Sequence, residues 1–417
     1  MAPMPVQVNP FRAGSVFRRA SVSGCGPVPF ERSDAPPDPP AALALRRGDA
    51  VPPHLIRRWL REEWLLVLLL ALLPVLLVLV PTGPAVLVAL VDWKTVGALA
   101  GLMVLSRGLE VSGLIDRAGR ALIAQLGTER GLAAALVVFA AVLSAVVTND
   151  VALFVTVPLT LGLARAVPLP VGRLVIFQAL AVNAGSTASP VGNPQNLFLW
   201  QVSGVGFVEF LAAMLPLAAA MLALLLALVP LAFAARPVAV PRTDSPLPLD
   251  RRLAGVALAA YPAFLALVNA GLAVPAAAGV IAAFALAFRP LLRGLDWPLL
   301  LVFVLMFVDL GLLARLPGLA ASVPALLELP GGAYTLGAAL SQVISNVPAA
   351  IFLQPFTADW QALAWGVNVG GFGLAIGSLA NLIALRLARQ PGLWGQFHLW
   401  SLPMLALAFA AGALLRG

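Results

Sequence analysis

From about residue 60 onward the chain is a succession of apolar runs with brief polar punctuation. Trp64–Val80 reads as one helical span and Trp93–Val111 as a second, with Arg107 and Glu110 near its end. Leu132–Leu163 is broken only by Thr148-Asn149-Asp150, and Leu174–Val208 is uncharged but carries a polar, Gly/Pro-rich centre. Phe210–Ala235 follows as one long span. Leu253–Phe288 would measure about 54 Å as one helix, against about 30 Å of hydrocarbon, so Asn269-Ala270-Gly271 is expected to divide it. Leu299–Ala314 contains Asp309. Leu329–Ala358 is broken at Ser345-Asn346-Val347-Pro348, and Trp360–Leu385 at Gly370, Gly371, Gly373 and Gly377. Phe397–Leu415 is the last run.

Composition agrees with this pattern: 61% of residues are hydrophobic and 11% charged, too apolar for a soluble core to hide. The lipid bilayer is therefore the expected partner of most of the surface. The net charge of +8 does not point to nucleic acid, because the arginines sit in short loops rather than on one basic face. Arg46, Arg47, Arg57, Arg58 and Arg61 precede the first span and predict a cytosolic N-terminus. Segments 81–92, 203–209 and 269–275 lack Arg, whereas 107–130, 236–252 and 289–293 are rich in it. That alternation predicts nine crossings plus two double-pass or re-entrant elements, with the C-terminus outside; Arg315 and Arg416 are the exceptions. Residues 1–55, with Pro36-Pro37-Asp38-Pro39-Pro40, read as a disordered cytosolic tail, and 56–417 as the membrane domain. One Cys and two His give no disulfide framework, zinc cluster or thiol pair.

The chain also resembles itself. Leu143-Ser144-Ala145-Val146-Val147-Thr148-Asn149 matches Leu340-Ser341-Gln342-Val343-Ile344-Ser345-Asn346, and Asp92-Trp93 matches Asp296-Trp297. Asn183-x-Gly185, Gly192-Asn193 and Asn196-Leu197 match Asn368-x-Gly370, Gly377-Ser378 and Asn381-Leu382. Repeat one runs over about 92–235 and repeat two over about 296–415, with linking spans at 251–289. Three crossings per repeat plus two linking spans make an odd number, so the repeats are expected to be inverted. Inverted repeats are a mark of alternating-access transporters.

Non-helical backbone within a membrane must be paired with protein or water, so Gly- and Asn-rich breaks are costly unless they line a cavity. A broken helix exposes carbonyls that can hold a cation and N–H groups that can hold an anion. The candidate binding residues in repeat one are Thr148, Asn149, Asp150, Asn183, Gly185, Ser186, Thr187, Gly192, Asn193 and Asn196. Those in repeat two are Ser345, Asn346, Asn368, Gly370, Gly371, Gly377, Ser378 and Asn381. Asn149, Asn193, Asn346 and Ser378 are the candidate Na⁺ ligands. Asp150 and Asp309 are intramembrane carboxyls, either of which can serve as cation ligand or proton carrier. The bland reading, that these Asn and Ser side chains only cap and glue helices, accounts for single residues better than for two matched clusters. No nucleophile–base pair and no phosphate-binding loop marks the chain as an enzyme or an ATP-driven pump.

Val147-Thr148-Asn149-Asp150-Val151, Gly192-Asn193-Pro194-Gln195-Asn196, Ser341-Gln342-Val343-Ile344-Ser345-Asn346-Val347-Pro348 and Gly377-Ser378-Leu379-Ala380-Asn381 resemble the citrate/arsenite permease branch of the ion transporter superfamily. Within it the likeness is to bacterial inner-membrane YbiR-type proteins. The resemblance implies an all-α polytopic membrane protein of two inverted repeats, each with a re-entrant hairpin (131–165 and 332–358) and a discontinuous helix (172–204 and 360–388). It also implies a homodimer in the bacterial inner membrane, a small anionic substrate, and no cofactor beyond a coupling Na⁺ or H⁺. Transport would be coupled to Na⁺ or H⁺, as symport or antiport, by an elevator-type alternating-access mechanism, with a Na⁺/H⁺ antiporter of the same fold as the alternative. Sodium–dicarboxylate members carry Ser-Asn-Thr at both hairpin tips. Thr148-Asn149-Asp150 and Ser345-Asn346-Val347 depart from that, and the acidic residue is more like the arsenite-efflux and antiport branches.

Overall fold

The computed structural model describes residues 63–239 and 248–417, so the expected tail 1–55, Cys25 and His54 lie outside the described residues. Nineteen α-helices and two short 3-10 turns make up the described chain, with one isolated bridge between Thr128 and Pro237. The architecture is the all-α, apolar one the run pattern predicts.

The order of elements repeats. α1 (Trp64–Leu79) leads into a short helix α2 (Pro84–Leu90) and then α3 (Trp93–Val111) and α4 (Leu114–Ile123). Two arms follow, α5 (Glu129–Val146) and α6 (Asn149–Ala164). A helix broken in its middle comes next, α7 (Val171–Ser186) and α8 (Pro194–Ser203), and then the long α9 (Phe207–Ala232). α10 (Arg251–Asn269) and α11 (Ala273–Ala287) link the halves. The second half is α12 (Arg289–Arg293), α13 (Trp297–Leu313), α14 (Pro317–Leu327), the arms α15 (Gly332–Ile344) and α16 (Asn346–Leu353), the broken α17 (Trp360–Val369) and α18 (Leu379–Ala388), and the long α19 (Leu393–Arg416).

The Asp-Trp match has a physical basis. Asp92 caps α3 by accepting from the Lys94 and Thr95 N–H groups at 3.0 and 3.2 Å, and Asp296 caps α13 by accepting from Leu299 N at 3.1 Å. Each following Trp then donates its ring N–H to a carbonyl five residues back: Trp93 to Val88 at 3.2 Å, Trp297 to Leu292 at 2.9 Å. Asp supplies the cap and Trp ties the preceding short helix down.

Large apolar side chains cover the outside. Leu286 is 90% exposed, Leu414 83% and Val78 79%, values that in water would invite aggregation and in lipid are solvated. Four helices (α5, α9, α10, α19) are long and apolar enough to cross a membrane alone, and two bent pairs (α2–α3 at 55° and α13–α14 at 89°) raise that to six. The nine expected crossings do not map onto single helices because the breaks cut apolar runs into shorter halves. The paired arms are also unequal. α5 and α6 measure about 27 and 24 Å, whereas α15 and α16 measure about 20 and 12 Å.

Within each half the first arm of the pair packs along the first half of the broken helix, α5 on α7 and α15 on α17. Backbones meet directly there. A Cβ on Gly185 would lie 2.0 Å from the Ala141 carbonyl oxygen, and one on Gly366 2.2 Å from that of Tyr334. Small residues that admit such contact are what holds helices together where lipid offers no hydrophobic drive. Around the first pair, Arg130 and Arg173 donate to the carbonyls of Phe233, Pro230 and Ala232 at the C-terminal end of α9, where positive charge is favoured.

Gly185→Ala is therefore expected to destabilise the protein by about 2 kcal/mol or more, since the obstacle is backbone and cannot swing away. Gly395→Ala, where nothing lies within 4 Å, should stay within about 0.5 kcal/mol of the parent. Thermal unfolding in detergent, compared across the two variants, measures the difference.

Candidate functional site

The two arm-to-arm junctions are built alike. α5 ends at Val146, Val147 and Thr148 run extended, and α6 starts at Asn149. α15 ends at Ile344 and α16 starts at Asn346, leaving Ser345 as the single linking residue with φ +75° and ψ 158°. That region is almost reserved for glycine and costs on the order of 1–3 kcal/mol, so the surrounding contacts impose it. Thr148 and Ser345 occupy the N-cap positions, yet neither side chain caps. The following Asn caps instead, with Asn149 Oδ1 accepting from Asp150 N and Asn346 Oδ1 from Val347 N, both at 2.9 Å. The Ser345 hydroxyl is buried with no hydrogen-bond partner among the described residues, and the buried Thr148 hydroxyl faces the Asp150 carboxyl. Thr148 is 4% exposed, beside the Asp150 carboxyl, and Ser345 6%.

The helix breaks supply the middle of the site. α7 stops at Ser186 and α8 restarts at Pro194, with Asn193 capping α8 through Asn196 N at 2.9 Å. α17 stops at Val369 and α18 restarts at Leu379, with Ser378 capping through Ala380 N at 3.3 Å. Interrupted helix ends leave unpaired carbonyls and N–H groups, and side-chain amides take them up. Asn196 Nδ2 donates to the carbonyls of Ser186, Thr187 and Ser189 at 3.3, 3.0 and 3.2 Å. Asn381 Nδ2 donates to Gly371 O at 2.9 Å. Thr187 Oγ1 donates to Asn183 O at 2.8 Å.

The breaks then bond to each other, and they do so reciprocally. Asn183 Nδ2 donates to Asn381 Oδ1 at 2.8 Å, and its counterpart Asn368 Nδ2 donates to Asn196 Oδ1 at 2.6 Å. Asn183 Oδ1 accepts from Ser378 Oγ at 3.0 Å, and Asn368 Oδ1 accepts from Asn193 Nδ2 at 3.0 Å. Residue i of one half meets residue j of the other, and j meets i, the signature of an isologous contact. Asn183 adds Gly371 O at 3.1 Å, Asn368 adds Ala364 O at 2.7 Å, and Thr187 Oγ1 reaches Asn368 Oδ1 at 3.2 Å. All of these side chains are at least about nine-tenths buried.

The hairpin tips close on this centre. Asn149 N donates to Gly192 O at 2.9 Å, and Asn346 Nδ2 lies 3.3 Å from where a Gly371 Cβ would be. Gly192 and Gly370 have no room for a side chain: a Cβ would meet Ser186 O at 2.5 Å and Ser341 Cβ at 2.5 Å. Gly377 packs in the same way, 2.6 Å from Gly370 O. Gly185 belongs to the helix contact described above rather than to the lining of the centre.

Asp150 stands apart from the other candidates. Its carboxyl lies in the first turn of α6 and makes no hydrogen bond to the Asn network; Glu110 on α3 and Tyr261 on α10 are within its electrostatic reach. No group of three or more His, Cys, Asp or Glu suited to a metal occurs among the described residues. The centre is thus built of neutral oxygens and N–H groups. Several contributors escape sequence reasoning. Gln342 bridges α15 to the second break, donating to Gly370 O at 2.7 Å and accepting from Leu374 N at 2.8 Å. Ser401 donates to Gly373 O at 2.5 Å. His398 accepts from Ala375 N at 3.2 Å. In repeat one, Ser189 ties the break to its hairpin by donating to Ala145 O at 2.6 Å, at the position matching Gln342. Gln342 was visible as a polar residue in an apolar run. Its match to Ala145 hid the role, because in repeat one a carbonyl does the same work.

A family profile described as "Citrate transporter" matches residues 55–370. The chain is 43% identical over 337 residues to the inner membrane protein YbiR of Escherichia coli, covering 81% of this chain and 91% of the relative. It is 30% identical over 333 residues to an uncharacterized transporter of Methanocaldococcus jannaschii, covering 78% and 89%. Among solved structures it aligns with the YdaH transporter of Alcanivorax borkumensis at a TM-score of 0.47 and 18% identity, over 85% of this chain and 97% of that one. The chain belongs to the citrate transporter family and is a membrane transporter, not an enzyme.

Proposed function

We propose that the protein moves a small anion, an organic acid or an inorganic oxyanion, by secondary active transport coupled to Na⁺ or H⁺, with the reciprocal asparagine centre as the substrate site. The observation that carries this reading is the pair of cross-repeat bridges, Asn183 to Asn381 and Asn368 to Asn196. A buried set of neutral donors and acceptors is strongly bonded when closed. It can trade those bonds for bonds to a ligand when the halves separate. The restarted helices α6, α8, α16 and α18 supply N-terminal dipole ends, which favour an anion. Asn149, Asn193, Asn346 and Ser378, matched two and two by the repeat, supply oxygens for Na⁺.

The repeats are inverted, in the bacterial inner membrane, with the N-terminus cytosolic and the C-terminus outside. The hairpins and broken helices move together as an elevator against the remaining helices, in a homodimer that binds no nucleic acid. Na⁺/H⁺ antiport on the same fold is the second reading, favoured by the Asp150 carboxyl making no hydrogen bond to the asparagine network and standing within electrostatic reach of Glu110.

Reconstituted protein should take up one of citrate, succinate, arsenite or sulfate against its gradient when Na⁺ or pH gradients are imposed. Asn183→Ala and Asn368→Ala should each lower uptake about tenfold, since each removes hydrogen bonds worth about 1 kcal/mol apiece. Unchanged uptake of the transported anion in both variants would show that the centre is elsewhere, and Na⁺ flux with no anion requirement would favour antiport. Ser345→Ala should leave folding stability within about 0.5 kcal/mol, because its hydroxyl has no partner to lose among the described residues, and should still weaken ligand affinity several-fold. For orientation, Lys94→Cys and Arg293→Cys are introduced separately in a Cys25→Ser background. An impermeant thiol reagent added to whole cells should label the first and spare the second; equal labelling would refute inversion.

A further inference from the structure

Asp309 lies twelve residues into α13, about 18 Å along the axis from Trp297, which is deep within a core of about 30 Å. It is 0% exposed, and neither carboxyl oxygen has a hydrogen-bond partner among the described residues. α13 packs against α1, α2, α3 and α16, and its Phe307 ring touches Phe198 of α8 at 5.3 Å. α1, α2, α8 and α16 contain no charged residue, and the charges on α3 are Lys94 near its start and Arg107 and Glu110, which pair with each other at 2.6 Å. Along its own chain the nearest charged groups are Arg315, past the end of α13, and Asp296 at its cap. Among the described residues nothing therefore compensates a negative charge at this position.

An ionised carboxylate that is desolvated and unpaired is among the costliest groups a protein can bury, and the ordinary relief is to hold a proton. The helices around it make that proton conditional. α16 and α8 belong to the hairpin and broken helix of the candidate site, whereas α1 and α3 lie outside those elements, so α13 sits where the two sets meet. We propose that Asp309 is a proton-binding site distinct from the asparagine centre, holding H⁺ in this conformation and releasing it to water when α16 and α8 slide away from α13. The step is an acid dissociation: the carboxyl O–H breaks, the proton passes to water and the carboxylate stays on α13, with the reverse on return. This couples H⁺ to the conformational cycle and rests on the alternating-access reading above.

The test uses full-length protein in lipid. Infrared difference spectra between wild type and Asp309→Asn, a neutral near-isostere, should show a protonated-carboxyl C=O band at pH 7 that shifts in D₂O. Absence of that band overturns the proposal. Labelled citrate is then the transport probe, driven in one arm by an imposed pH gradient and in the other by counterflow. The ratio of gradient-driven uptake to counterflow should fall about tenfold or more in Asp309→Asn, as expected for loss of an intramembrane proton carrier. An unaltered ratio overturns the coupling role. Asn183→Ala separates the two readings, because it should depress both fluxes while leaving the infrared band in place. A surviving flux there sinks the asparagine centre and not Asp309.

Discussion

Backbone that is not helical has no solvent inside a bilayer, and every other feature of this protein answers that constraint. Two helices are interrupted at mid-run, between Ser186 and Pro194 and between Val369 and Leu379. Each interruption releases carbonyls and N–H groups that lipid cannot satisfy. The chain places asparagine beside each break because one primary amide both donates and accepts, and the amide of Asn196 alone covers three carbonyls. A charged residue could satisfy only one kind of group and would add its own desolvation cost.

The same constraint explains why the two halves must meet. A break closed entirely within its own half would still leave lone pairs on its asparagines, and the partner half supplies their complement. Asn183 and Asn368 each commit their carboxamides across the boundary, to Asn381 and Ser378 in one direction and to Asn196 and Asn193 in the other. Such a network is stable only when complete. In the structure it is in one arrangement, bonded internally. The unpartnered hydroxyl and the strained backbone of Ser345 mark where that closure is incomplete.

Much of this could be read from residue order. The breaks at 148–150, 345–348, 183–196 and 370–378 announce themselves because Asn, Gly and Pro are conspicuous in apolar runs, and the breaks in the structure fall at or beside them. The Asp-Trp match is legible because capping is local chemistry, confined to three or four residues. The short helices α2, α4, α12 and α14 are not legible as units, since their propensities differ little from those of their neighbours and tertiary contacts define them. Gln342, Ser401 and His398 escape notice because their partners are backbone groups up to 32 residues away, and a side chain bonded to a distant carbonyl leaves no trace in local spacing.

The sequence by itself determined that this is a helical membrane protein with a doubled plan and interrupted helices, because hydropathy and helix-breaking act within a few residues of one another along the chain. Only the tertiary structure decided which asparagine meets which. It left the Asp150 carboxyl outside the asparagine network, and it enclosed Asp309 among helices that offer it no partner. Those outcomes depend on which helix faces lie against one another, and that is set by packing over residues far apart in the chain.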